Sequence, residues 1–87
     1  MAYTVTIERR AEKFLRQLTD KRLYLRLREA IDGLAENPRP PDYVKLKGND
    51  EVYRVRVGDY RVIYQIQDAV LIVVVVEIGH RREIYRT

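Results

Sequence analysis

The sequence contains no cysteine and no tryptophan, and His80 is its one histidine among 87 residues. Without thiols, a disulfide framework and a thiolate-bound metal are both excluded, and a single histidine gives no basis for structural zinc. Carboxylates are spread along the chain rather than clustered, so a hydrolytic metal site is not expected. No nucleophile, base and orienting residue fall into a recognisable arrangement either. Nothing points to a cofactor. The longest apolar run, Ala69 to Val76, is too short to cross a bilayer. The opening Met1-Ala2-Tyr3-Thr4-Val5 lacks the basic start and long apolar stretch of a secretory leader. The expectation is a cytoplasmic protein with no membrane partner.

What remains is apolar and basic. The chain is 46% hydrophobic, enough to fold, and its length suits one domain spanning residues 1–87. Lysine and arginine number 17 against 13 acids, a net charge of +4 that favours a polyanionic partner. The placement of those charges decides more than their sum.

Thr4 to Ile7 alternates polar and apolar residues and predicts a strand. From Glu8 the period lengthens: Ala11, Phe14, Leu15 and Leu18 form one helical stripe, with Arg9, Arg10, Glu12, Lys13 and Arg16 opposite. Thr19-Asp20 breaks this helix and caps a second, whose stripe is Leu23, Leu27, Ala30, Ile31 and Leu34. Asn37-Pro38-Arg39-Pro40-Pro41 ends it with all three prolines of the chain. Strands are then expected at Tyr43 to Leu46, Val52 to Val57, Tyr60 to Gln67 and Val70 to Ile78, with Gly79 ending the last. Tight turns at Gly58-Asp59 and Asp68-Ala69 would join the last three. The predicted fold is α+β in the order β-α-α-β-β-β-β, two N-terminal helices packed on a mainly antiparallel sheet. The final strand is apolar on both faces and is expected inside the sheet or beneath a concave surface.

A two-residue turn at Gly58-Asp59 pairs Arg56 with Arg61 and Arg54 with Ile63, so Arg54, Arg56 and Arg61 share a face. Two arginines directly opposite each other are destabilising unless an anion relieves them. The same logic at Asp68-Ala69 pairs Arg61 with Val76 and brings Gly79-His80-Arg81-Arg82 close to that patch. On the alternation alone, a solvated hairpin face and an anion-binding face are equally good readings. The opposed arginines and the neighbouring His-Arg-Arg favour the anion, and phosphate matches the planar fork of arginine. Imidazole changes charge near neutral pH, which makes His80 a candidate proton acceptor. Tyr85 would stack on a base or position a hydroxyl, or simply pack the C-terminal segment. Lys45, Lys47 and Arg82 would extend the track along a nucleic-acid backbone.

Such a face suits RNA. The 2′-hydroxyl beside the scissile phosphate is a built-in nucleophile, so a protein need only orient it, move protons and stabilise the charged transition state.

Three segments, Leu46-Lys47-Gly48, Val52-Tyr53-Arg54-Val55-Arg56-Val57-Gly58-Asp59-Tyr60-Arg61-Val62-Ile63-Tyr64 and Gly79-His80-Arg81-Arg82-Glu83-Ile84-Tyr85, follow the two helices in this order. In that order and spacing the chain resembles the RelE branch of the RelE/ParE toxin superfamily, over almost its whole length. The resemblance implies the toxin of a type II toxin–antitoxin system, which enters the ribosomal A site and cleaves mRNA without a metal. It further implies a RelB-like antitoxin as partner, and a toxin–antitoxin assembly on operator DNA. Arg61 and Arg81 match the arginines of the family at the scissile phosphate, and Tyr85 its C-terminal tyrosine. Arg54 and Arg56 stand where the best-known members have lysines. Arginine stays protonated and is a poor base, so His80 is the expected proton acceptor. Two other functions share this architecture: a ParE-like toxin that inhibits a DNA topoisomerase without cutting nucleic acid, and a non-catalytic RNA-binding module.

Overall fold

The computed structural model describes residues 2–46 and 51–80. Strand β1 (Thr4–Ile7) leads into helices α1 (Arg9–Gln17) and α2 (Lys21–Gly33). Strands β2 (Val44–Lys45), β3 (Val52–Val57), β4 (Tyr60–Gln67) and β5 (Ile72–His80) follow, and the sheet runs β1-β5-β4-β3-β2. The last four form an antiparallel meander, while β1 joins the far side of β5 in parallel, Thr4 opposite Ile72 and Ile7 opposite Val75. β5 is therefore hydrogen-bonded on both sides and lies inside the sheet.

Local chemistry sets the helices. Asp20 caps α2 by accepting a hydrogen bond from the Leu23 N–H at 3.1 Å. The two apolar stripes pack on one face of the sheet. Ala11, Leu15, Leu27, Ile31 and Leu34 meet Val55, Val62, Tyr64, Ile66, Val73, Val75 and Ile78 in one buried cluster. Each valine, leucine or isoleucine among them contributes on the order of 1.5–3 kcal/mol by leaving water.

The proline-rich connector is tied to the end of the sheet remote from the Gly58-Asp59 turn. The buried Tyr64 hydroxyl donates to the Pro38 carbonyl at 2.8 Å. Arg39 grips the Asp68 carboxylate with both terminal nitrogens, Nη2 to Oδ2 at 3.0 Å and Nη1 to Oδ1 at 3.3 Å. Its guanidinium also lies over the Tyr53 ring, 5.3 Å from the centroid. The Tyr3 hydroxyl donates to Asp68 Oδ1 at 2.6 Å, which closes the knot between β1, the connector and the turn before β5. The hydrogen bond from Arg39, and then that from Tyr3, hold the Asp68 carboxyl below its ordinary range.

Strand boundaries match the sequence-based expectation at β1, β3 and β4 and depart from it elsewhere. β2 is two residues long. The expected tight turn at Asp68-Ala69 is a 3-10 turn over Asp68–Val70, with Leu71 in the left-handed region at φ 56°. β5 accordingly starts at Ile72 and continues through Gly79 to His80.

Candidate functional site

The β3–β4 hairpin has the register expected from its turn. Gly58 supplies a positive φ of 61°, Arg56 lies opposite Arg61, Arg54 opposite Ile63, and Val55 opposite Val62. Val55 and Val62 are in the core, so Arg54, Arg56 and Arg61 point to the sheet face turned away from the helices. Arg56 is exposed and Arg54 half-buried, whereas Arg61 is only 2% exposed. A guanidinium held this far from water needs acceptors or an anion to offset its lost hydration. Beside Arg54 and Arg56, a hollow of about 360 Å³ is completed by Asp42 and Val44.

The register between β4 and β5 differs from the expected one. Arg61 faces Gly79 rather than Val76. Two of the three residues of offset come from the longer turn, since Gln67 pairs with Ile72. The third is a β-bulge: Ile63 pairs with Glu77 but Tyr64 with Val75, so Val76 is the extra residue. An odd offset exchanges the faces of every residue beyond it. Val73, Val75 and Ile78 all face the core as a result, while Glu77 and Gly79 face the arginine side.

The bulge also determines where His80 sits. It is the cross-strand partner of Tyr60, and its ring meets the Tyr60 ring edge-on with centroids 5.5 Å apart. Tyr60 in turn packs against Phe14 of α1 at 5.9 Å, so this imidazole lies on the helix-bearing face. Lys45 pairs with Tyr53, a core-facing residue, and is likewise directed away from the arginine side. The strand pairing thus gathers Arg54, Arg56 and Arg61 on one face and leaves His80 and Lys45 on the other. Lys47, Arg81, Arg82 and Tyr85 lie outside the described residues.

One residue of this face was not singled out in the sequence. Glu77 is across from Ile63 in the row that contains Arg54, next to the row of Arg56, Arg61 and Gly79. Its side chain is 35% exposed, and its Oε1 is 3.6 Å from Nη1 of Arg10 at the start of α1. A signal was present: Glu77 is the one charged residue between Val70 and Ile78. Among the described residues no group of histidines and acids is placed to hold a metal ion.

Known proteins share this fold. A family model described as the ParE toxin of the type II toxin–antitoxin system parDE matches residues 5–85. A Methanocaldococcus jannaschii protein named RelE1 is 37% identical over 89 residues, covering 99% of this chain and 98% of that protein. The fold is similar to RelE in the crystal structure of the archaeal RelE–RelB complex from Pyrococcus horikoshii. There the TM-score is 0.83 at 34% identity, over 95% of this chain and 99% of that one. A chain of the intact Escherichia coli RelBE toxin–antitoxin complex aligns with a TM-score of 0.77 at 28% identity, over 91% of this chain and 96% of that one.

Proposed function

Because the chain belongs to the RelE/ParE toxins of type II toxin–antitoxin systems, we propose that it cleaves mRNA in the ribosomal A site. The observation that carries this reading is the convergence of Arg54, Arg56 and Arg61 on the sheet face opposite the helices. An RNA phosphate bound there has its non-bridging oxygens among fixed guanidinium donors. The 2′-oxygen of the preceding ribose attacks phosphorus and the bond to the 5′-oxygen breaks, leaving a 2′,3′-cyclic phosphate and a 5′-hydroxyl. Negative charge grows on the phosphoryl oxygens along this path, and preorganised cations lower its energy without reorganising. Arg81 and Tyr85, which match family positions in the sequence, would complete the phosphate and base contacts. Arginine is not a proton acceptor at physiological pH, so its task here is positioning and charge. A RelB-like antitoxin is the proposed partner that keeps the toxin inactive, since relatives from P. horikoshii and E. coli were solved in complex with RelB.

The test is mRNA cleavage in programmed ribosomes by the purified toxin. Arg61→Ala should reduce the single-turnover rate by about 100-fold or more, the usual loss for one transition-state donor. Ribosome binding with intact mRNA would defeat the nuclease reading and leave a binding module. The name of the matching family model favours a second reading, inhibition of a DNA topoisomerase. Accumulation of cleaved DNA with topoisomerase and toxin, and no mRNA cleavage, would establish that one instead.

A further inference from the structure

We propose that Glu77 is the proton acceptor of the cleavage reaction, an inference that rests on the ribonuclease reading above. The attack needs a group that takes the 2′-hydroxyl proton, and the three arginines gathered on this face cannot serve. The imidazole of His80 packs on Tyr60 across the sheet. Glu77 carries a carboxylate on the correct face. It occupies the row that contains Arg54, and it stands diagonally to Arg61, whose direct partner Gly79 adds no side chain to the face. Diagonal neighbours in a sheet lie about 7–8 Å apart at the backbone, within reach of two long side chains that share one phosphodiester.

Two features single this glutamate out. It is an acid in a strand that is otherwise apolar from Ile72 to Ile78. The bulge at Val76 is also what turns it to the arginine side; a regular ladder would have aimed Glu77 into the core beneath the helices. Bulges that re-aim a side chain are over-represented beside active sites. Arg10 on α1 forms a surface ion pair with the carboxylate at the rim, 3.6 Å away. Asp42, the other acid beside these arginines, precedes the outermost strand and stands at the Arg54–Arg56 side, remote from β5.

In the proposed step, a Glu77 oxygen removes the 2′-hydroxyl proton as the O2′–P bond forms and the P–O5′ bond breaks. The departing 5′-oxygen takes a proton from water, and Glu77 returns its own to solvent after product release. No oxidant or metal is required.

The experiment measures single-turnover cleavage on programmed ribosomes at saturating toxin, with ribosome affinity and thermal melting recorded for each variant. Glu77→Gln should lower the cleavage rate by about 100- to 10,000-fold, the range for one general base, with affinity within threefold of the wild type. Glu77→Asp should retain part of the rate. An mRNA with sulfur in place of the scissile 5′-oxygen, a leaving group that needs no proton, should not rescue Glu77→Gln. Rescue by that substrate, a Glu77→Gln rate within threefold of the wild type, or a rate lost together with melting temperature in both variants would overturn the assignment. A large loss in Asp42→Asn with none in Glu77→Gln would move the role to Asp42. Absence of cleavage by the wild type would remove the ribonuclease reading itself, and this assignment with it.

Discussion

Arg56→Gln should make the toxin more stable and less active, and the two changes have one origin. Arg56 is directly across from Arg61 on the same face of the hairpin. No ion pair within 4.0 Å joins Arg56 to a described residue. Like charges in directly opposed positions cost roughly 0.2–1 kcal/mol. Glutamine keeps the length and most of the aliphatic contact while removing the charge, so the variant should gain about that amount. For a domain of this size the gain corresponds to a rise in Tm of up to about 8 °C. The effect is electrostatic and partly exposed, so it should be largest at low ionic strength and nearly vanish in 1 M salt, where the screening length is about 3 Å. Thermal melts at both salt concentrations measure it, and cleavage on programmed ribosomes measures the other side, an expected loss of about 100-fold. A destabilised variant, or a gain that salt leaves unchanged, would refute the view that Arg56 and Arg61 repel each other across the hairpin.

The remaining predictions concern the frame around the site. Tyr64→Phe deletes the buried hydrogen bond to the Pro38 carbonyl and should cost about 1–2 kcal/mol in urea unfolding, with ribosomal cleavage at saturating toxin little altered. Asp68→Asn should lower Tm at pH 7, and the difference from wild type should close on acidification. The folded-state carboxyl sits below its ordinary value, held there first by Arg39 and then by Tyr3. Its contribution is therefore complete above the unfolded pKa of about 3.9 and disappears as pH falls through the lower folded value. A constant difference from pH 7 to pH 2 would contradict this. Gly58→Ala should cost about 1–2 kcal/mol because φ there is 61°, and a new Cβ would also lie 3.4 Å from Arg26 Nη1. Gly58→Asn should cost less, since asparagine enters the left-handed region more readily.

Much of this architecture is legible in the sequence because local chemistry and tertiary packing agree. The stripe at Leu23, Leu27, Ala30, Ile31 and Leu34 behaves as a helix with or without a sheet beneath it, and Asp20 marks its start. Gly58-Asp59 fixes a hairpin register by itself, and with it the shared face of Arg54, Arg56 and Arg61. The connector is different. Arg39 reads as one more surface cation among prolines, yet it joins Asp68, Tyr53 and, through Asp68, Tyr3. No periodicity announces a contact between residues 29 positions apart. The parallel pairing of β1 with β5 is hidden for the same reason, because it depends on where the chain returns after two helices.

The placement of Glu77 and His80 depends on a feature that alternation conceals. Continue the pattern of Val73 and Val75 for two and four more residues, and Glu77 and Gly79 fall in the core while His80 joins the arginines. Such a ladder would bury a carboxylate under α1 and turn Ile78 outward, at a cost of several kcal/mol for the unpaired charge alone. One extra residue at Val76 avoids both penalties: Ile78 returns to the core, 5% exposed, and Glu77 reaches the rim beside Arg10. Hydrophobic burial thus selects the bulge, and the bulge delivers an acid to the face that already holds three arginines. A run of four valines is a poor guide to its own register, since each can serve either face. The glutamate that interrupts the apolar strand is therefore the residue that reports the shift.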